Sequence, residues 1–194
     1  MTASIRSLCI LAGLAATPAV LAQAITLDAP GGGVIAVGET VTVTMSASYG
    51  GTDYAIAGIA TGIRINESQG EFTNLRLVAP MAGPGTTPGV LGAGGIDGII
   101  AGQLNFPTAQ IYADPTNPIA FWQADFTVGA LVGGVALDIE TVTTRYDVYV
   151  AREQSRSESR LADLEEGRLV IVVPAPAGAF ALLGGLAMAG RRRR

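Results

Sequence analysis

Residues 39–49 read ETVTVTMSASY, and their strict alternation restricts the chain more than any other feature. Val41, Val43, Met45 and Ala47 fall in one phase; Thr40, Thr42, Thr44, Ser46 and Ser48 fall in the other. A period of two places one set on each face of an extended strand, whereas a helix would scatter both sets around its circumference. Val and Thr also favour strands, because a branched Cβ fits a pleated, half-buried surface. The segment is expected to be a strand with its apolar face on a core.

The pattern recurs along the chain. In YAIAGIATGIRI (54–65) the phase Ala57, Ile59, Thr61, Ile63, Ile65 is the more apolar and is placed inward, leaving Ile56, Gly58, Ala60 and Gly62 outward. EFTNLRLVAP (71–80) alternates without a clear inward phase. In IAFWQADFTVG (119–129) the phase Trp122, Ala124, Phe126, Val128 reads as core. GGVALDIET and TTRYDVYVA read as two strands joined by a short link, with Tyr146, Val148 and Val150 on one face of the second. RLVIVV (168–173) reads as the closing strand. Between them, 80–95 is a loop with three prolines and six glycines, and IYADPTNP (111–118) is rich in turn starters. The charged stretch 152–167 is a loop or one helical turn from Ser159 to Glu166, and GGTD (50–53) reads as a hairpin tip. Eight or nine strands without a sustained helical period indicate an all-β fold, an antiparallel β-sandwich.

Composition excludes more chemistry than it suggests. The chain has no lysine and no histidine, and its only cysteine is Cys9. Nucleophile–His, Ser–Lys and His/Cys zinc sites are therefore impossible in the central region. That region carries seven arginines against sixteen acidic residues, which argues against nucleic acid as a partner, because phosphate binding needs clustered cations. An enzyme would need a carboxylate pair of the glycosidase type, drawn from Asp125, Asp138, Glu140 and Asp147. All four are expected on solvated strand faces, and Asp138 with Glu140 would repel unless a cation such as Arg145 sits near. The chain is therefore expected not to be an enzyme and to need no cofactor. A structural calcium is the one metal its oxygen ligands allow, with Asp114 and Asn117 as the candidate loop beside Asp53 and Asp97. Ordinary turn formation is the competing use of those residues. For a carbohydrate, Tyr49 and Tyr54 are the candidate exposed pair, with Tyr112 as a further member and Trp122 assigned to the core. The Asn66-Glu67-Ser68 sequon is expected to be coincidental.

The two ends lie outside the expected fold. Residues 1–24 have the layout of a secretory signal peptide: Arg6, an apolar run from Leu8 to Leu21, then Ala22-Gln23-Ala24 as a small-x-small cleavage site. Ile25 is the expected mature start, with cleavage after Ala22 as the alternative. The sandwich then spans 25–173. After Pro174 and Pro176, Ala177 to Gly190 is apolar for 14 residues, about 21 Å as a helix. A hydrocarbon core is about 30 Å thick, so this is a short transmembrane helix at the limit of spanning. Arg191, Arg192, Arg193 and Arg194 would hold its end on the cytoplasmic side.

VPAPAG, a short Gly/Leu/Ala-rich helix and RRRR, in that order at 173–194, resemble the PEP-CTERM sorting signal of Gram-negative bacteria, in its Pro-Ala-Pro variant. The resemblance covers 174–194 and makes Pro174, Ala175 and Pro176 the sorting motif together with the four terminal arginines. It departs from the usual pattern in having Ala175 where Glu is common. It implies an exosortase-type processing enzyme as a partner, a transient stay in the inner membrane, and a final place at the cell surface or outside the cell. VGETVTVTMSASY and the later WQADFTV also resemble, loosely, cohesin-like and carbohydrate-binding-module-like sandwiches, so the fold is expected to be cohesin-like or a jelly roll. The function expected from all this is a structural or adhesive component of the cell envelope or extracellular matrix. The alternative is a module binding protein or extracellular polysaccharide.

Overall fold

The computed structural model describes residues 23–65, 70–103, 112–129, 136–152 and 156–174. Ten strands are formed among them: β1 (Ala24–Asp28), β2 (Thr40–Ser48), β3 (Ala55–Ile65), β4 (Gly70–Leu77), β5 (Val90–Gly92), β6 (Gly95–Gly102), β7 (Ile119–Val128), β8 (Ala136–Tyr149), β9 (Ser157–Ser159) and β10 (Arg168–Val172). They make two sheets. The smaller runs β1-β2-β7-β4; the larger runs β10-β8-β3-β6-β5, with β9 also on β8. Every strand pair is antiparallel. The signal-peptide residues up to Ala22, the sequon, and Ala175 to Arg194 lie outside the described residues.

The inner faces meet over one core. Val43, Met45, Ala47, Trp122, Ala124, Phe126 and Val128 line the smaller sheet, as their alternation predicts, and all are at most 1% exposed. Phe72 on β4 packs edge-on to Trp122 and against Phe126, at centroid distances of 6.4 and 4.8 Å. The Trp122 indole donates to the Pro88 carbonyl at 2.9 Å, so its polar end is satisfied. Tyr146 of β8 reaches across the sandwich and donates its hydroxyl to the Ser48 carbonyl of β2 at 2.6 Å.

Bulges change the phase within strands, and they account for where the alternation misleads. A register shift between Ile56 and Gly58 turns Ile56 into the core, fully buried beside Ile59 and Ile63. A shift opposite Met45 and Ser46 leaves Phe121 unpaired and buries it next to Trp122. On β4, Asn74 takes φ 53°, a left-handed value that Asn tolerates, so Phe72 and then Leu75 face inward from opposite phases. The two strands expected over 133–151 are one 14-residue strand, β8. Its phase slips at Thr144, so Leu137, Ile139 and Thr141 face inward before the slip, and Tyr146 and Val148 after it.

The edge of β8 opposite β3 is shared by β10, which ends its pairing at Glu140, and β9, which starts at Asp147. Glu166 fills the interval. Its carboxylate accepts from the Thr143 amide at 2.7 Å and from the Thr141 and Thr143 hydroxyls at 2.6 and 2.8 Å. A side chain thus replaces a missing strand partner. The expected helical turn in 152–167 is the short β9 followed by a single 3-10 turn over Leu161–Asp163.

GGTD is a crossover between sheets and not a hairpin tip, since β2 and β3 belong to different sheets. Asp53 within it has a side chain only 3% exposed. It accepts two hydrogen bonds from the Arg160 guanidinium, at 2.9 and 3.1 Å, which fastens the crossover to the strap that follows β9. Arg160 also pairs with Glu158 at 2.9 Å.

Candidate functional site

The outer faces of the two sheets differ in kind. On the smaller sheet the outward side chains are threonines and other polar groups that satisfy one another. Thr40 and Thr127 share a hydrogen bond at 2.7 Å, Thr42 donates to Asp125 at 2.9 Å, and Gln123 donates to Thr44 at 3.2 Å. Asn74 donates to the other Asp125 oxygen at 2.9 Å, with Arg76 at 3.6 Å. These donors, Asn74 first, hold the Asp125 carboxyl below the usual carboxylate range.

The larger sheet exposes aliphatic groups. Gly58, Ala60 and Gly62 leave β3 nearly bare and make it the floor of a shallow trough. Ile100 of β6, paired with Ala60, and Val142 of β8, paired with Gly62, stand as its two walls at 43% and 47% exposure. The opening holds because β6 carries two residues, Asp97 and Gly98, opposite Gly62, with Gly98 at φ 68°. That is the geometry of a glycine bulge. A side chain at Gly62 would meet the Ile96 carbonyl at 2.9 Å, so the floor must stay bare there. Toward the two edges the same face also exposes Val90 on β5, paired with Asp97, and Val170 and Val172 on β10, paired with Asp138 and Ala136; Leu91 pairs with the buried Ile96 and lies on the opposite face of β5.

Ion pairs flank the trough, and the group around Arg168 separates Val142 from Val170. Arg64 binds Asp97 at 2.6 Å, Arg145 binds Asp147, and Arg168 binds Asp138 and approaches Glu140 at 3.5 Å. Arg168 is the cation that relieves the Asp138–Glu140 repulsion; Arg145, the expected candidate, serves Asp147 instead. The Arg168 hydrogen bonds hold the Asp138 carboxyl below its usual range. An aliphatic centre with a charged rim is the composition of a protein-contact surface.

The residues singled out from sequence divide as follows. Asp125, Asp138 and Asp147 are each engaged by the partners just named. The exposed aromatic pair is not formed. Tyr49 is 8% exposed, and its hydroxyl donates to the Pro115 carbonyl at 2.7 Å, while Tyr54 is half-buried. Burial raises the Tyr49 phenol above its usual range. Tyr112 is exposed, but Arg152 lies over its ring at 4.2 Å.

The candidate calcium loop uses its side chains internally. Asp114 accepts from the Thr116 amide at 2.9 Å and from its hydroxyl. Asn117 exchanges two hydrogen bonds with the Tyr49 backbone, at 2.7 and 3.3 Å, and so extends the β2 ladder with a carboxamide. Asp53 and Asp97 are taken by Arg160 and Arg64. Among the described residues no three His, Cys, Asp or Glu side chains group as a metal site. No helix among them is long and apolar enough to cross a membrane. Of the expected sorting motif only Pro174 is described; it follows the last strand directly. Of the expected cleavage residues, Ala24 is the first residue of β1.

This two-sheet arrangement is the cohesin fold. The chain superposes on the seventh ScaB type I cohesin from Pseudobacteroides cellulosolvens with a TM-score of 0.54 and 14% identity, over 80% of this chain and 94% of that one. The cohesin module from the Clostridium perfringens family 33 glycoside hydrolase gives 0.53 and 9%, over 80% and 99%. A cohesin from Clostridium thermocellum, solved in a type I complex with a dockerin, gives 0.52 and 14%, over 77% and 99%. No family model matches this sequence, and no curated protein sequence matches it. The likeness is one of fold.

The sequence reading missed Ile100, Val142, Val170 and Val172. RLVIVV did carry a signal, because an edge strand that is aliphatic in both phases has apolar groups left over for its outer face.

Proposed function

We propose that this chain is an exported, non-catalytic module that binds another protein through the outer face of its larger sheet. The carrying observation is the glycine-floored trough between Ile100 and Val142, with its ion-paired rim. Cohesins of the same fold solved with dockerins support a protein, and not a sugar, as the ligand class. Burial of Tyr49 and the bridged Tyr112 remove the aromatic platform on which a polysaccharide reading rested. Each half-exposed Ile or Val covered by a partner contributes about 1 kcal/mol. A stable contact therefore needs more than Ile100 and Val142, and draws in Val90, Val170 and the ion-paired side chains beside them.

The module fits within the structural or adhesive role expected from the chain's ends. On this reading the leader exports it and an exosortase-type enzyme acts at Pro174-Ala175-Pro176, while the C-terminal helix and arginines are held in the inner membrane. The domain then reaches the cell surface or matrix, where it joins one component to another.

The test uses wild-type protein and an Ile100→Glu/Val142→Arg variant as baits against the envelope fraction of the producing cell. A partner held by wild type and lost from a variant that melts at the same temperature supports the proposal. A partner held equally by both places binding elsewhere and overturns it.

A further inference from the structure

We infer that the leader is removed between Ala22 and Gln23, so that Gln23 and not Ile25 is the first residue of the exported protein. This placement rests on the export reading above. Leader peptidases require small, uncharged residues one and three positions before the cut. Both bonds offer them: Val20 and Ala22 precede one, and Ala22 and Ala24 precede the other. The fold separates the two.

Gln23 and Ala24 are working parts of the sandwich. Ala24 pairs with Ser48 in the β1–β2 ladder, and the Ser48 hydroxyl donates to its carbonyl at 3.4 Å. On the other side Ala24 forms a parallel bridge with Glu165, whose amide donates to the Gln23 carbonyl at 2.9 Å. The Gln23 carboxamide reaches Asp53 at 3.5 Å, the carboxylate that Arg160 fastens. These two residues therefore tie the edge strand of the smaller sheet to the strap that leads into β10. The packing there is close: a side-chain carbon at Gly167 would meet the Ile25 carbonyl at 2.9 Å.

A cut after Ala24 would remove these contacts and create a charge in their place. The Ile25 amide donates to the Glu165 carbonyl at 2.9 Å, and Ile25 is 2% exposed. As a chain start this nitrogen becomes an α-ammonium, protonated at neutral pH because its ordinary pKa is about 8. Its acceptor is a neutral carbonyl, so the charge would stand in place of an ordinary ladder hydrogen bond at the sheet margin. A cut after Ala22 moves that charge two residues outward and leaves every β1 contact in place.

The experiment is mass spectrometry of the N-terminal peptide of the full chain, exported by a Gram-negative host and recovered from its envelope. A peptide beginning at Gln23, free or cyclised to pyroglutamate, is the expected result. One beginning at Ile25 overturns this placement and leaves export intact, whereas a retained Met1 overturns the export reading itself. An Ala24→Leu variant adds a second arm. Leu in the position before the cut blocks cleavage at the inner bond and leaves the outer one open. The variant is expected to be processed at Gln23 as before, and accumulation of its precursor would overturn the inference.

Discussion

Replacing Tyr146 by Phe should destabilise the sandwich at neutral pH and cease to do so in alkali. The phenol is fully buried and donates at 2.6 Å to the Ser48 carbonyl, so it joins the two sheets by one hydrogen bond. Loss of a buried hydrogen bond of this kind costs about 1.5 kcal/mol. Burial first, and the charge of Asp53 second, raise the folded-state Tyr146 pKa well above the ordinary phenol value. In the unfolded chain Tyr ionises near about pH 10. Above that pH the unfolded state releases a proton that the folded state retains, so stability falls by about 1.4 kcal/mol per pH unit. The contribution is complete below the unfolded pKa and is lost as pH rises toward the folded one.

The Tyr146→Phe protein carries no such linkage. The difference between the two proteins should shrink from about 1.5 kcal/mol at pH 7 to nearly zero by about pH 11. Tyr49 and Tyr149, also raised by burial, are present in both proteins and cancel in the comparison. Urea denaturation followed by the emission of Trp122, the single tryptophan, gives both stabilities at each pH. A gap that stays constant from pH 7 to 11 would refute the buried, neutral phenol.

Other substitutions probe other parts of the account. Gly95→Ala drives a Cβ into the Ile63 carbonyl, at φ 140°, and should cost about 3 kcal/mol or more in urea denaturation. Asp53→Asn removes the charge that Arg160 grips through two hydrogen bonds, and should lower the melting temperature while leaving the circular dichroism of the sheets unchanged. Glu166→Gln keeps one acceptor oxygen for Thr143 and should be milder than Glu166→Ala, which leaves the Thr143 amide without its carboxylate; hydrogen exchange at Thr143 reads the difference. For the sorting proposal, the C-terminal peptide of surface-released protein should lack Arg191 to Arg194, and its recovery with all four would contradict processing.

The strands were legible where alternation is unbroken. β2 and the second half of β7 follow from side-chain period alone, because one residue type repeats on each face, and β10 follows from its unbroken aliphatic run. What the period cannot carry is a bulge: Ile56, Asn74, Phe121 and Thr144 each change a strand's phase through pairing with a distant segment. The same non-locality hid the crossover at GGTD and the Arg160 grip on Asp53, 107 residues away. Arg145 was the nearer candidate partner for Glu140 along the chain, but strand register placed Arg168 beside it. The binding face was legible only in part. Glycine and alanine on the outward phase of β3 show in the sequence only as the less apolar phase, and become a floor once Ile100 and Val142 are paired beside them.

The central claim is that one of two outer faces meets a protein. Site-specific photo-crosslinking in the producing cell tests it most directly, with a benzoyl-phenylalanine placed at Ile100 or Val142 on the larger sheet, or at Thr42 or Thr44 on the smaller. The account predicts the same protein adduct from the first two positions and none from the second two. Adducts confined to Thr42 and Thr44, or equal at all four positions, would contradict it.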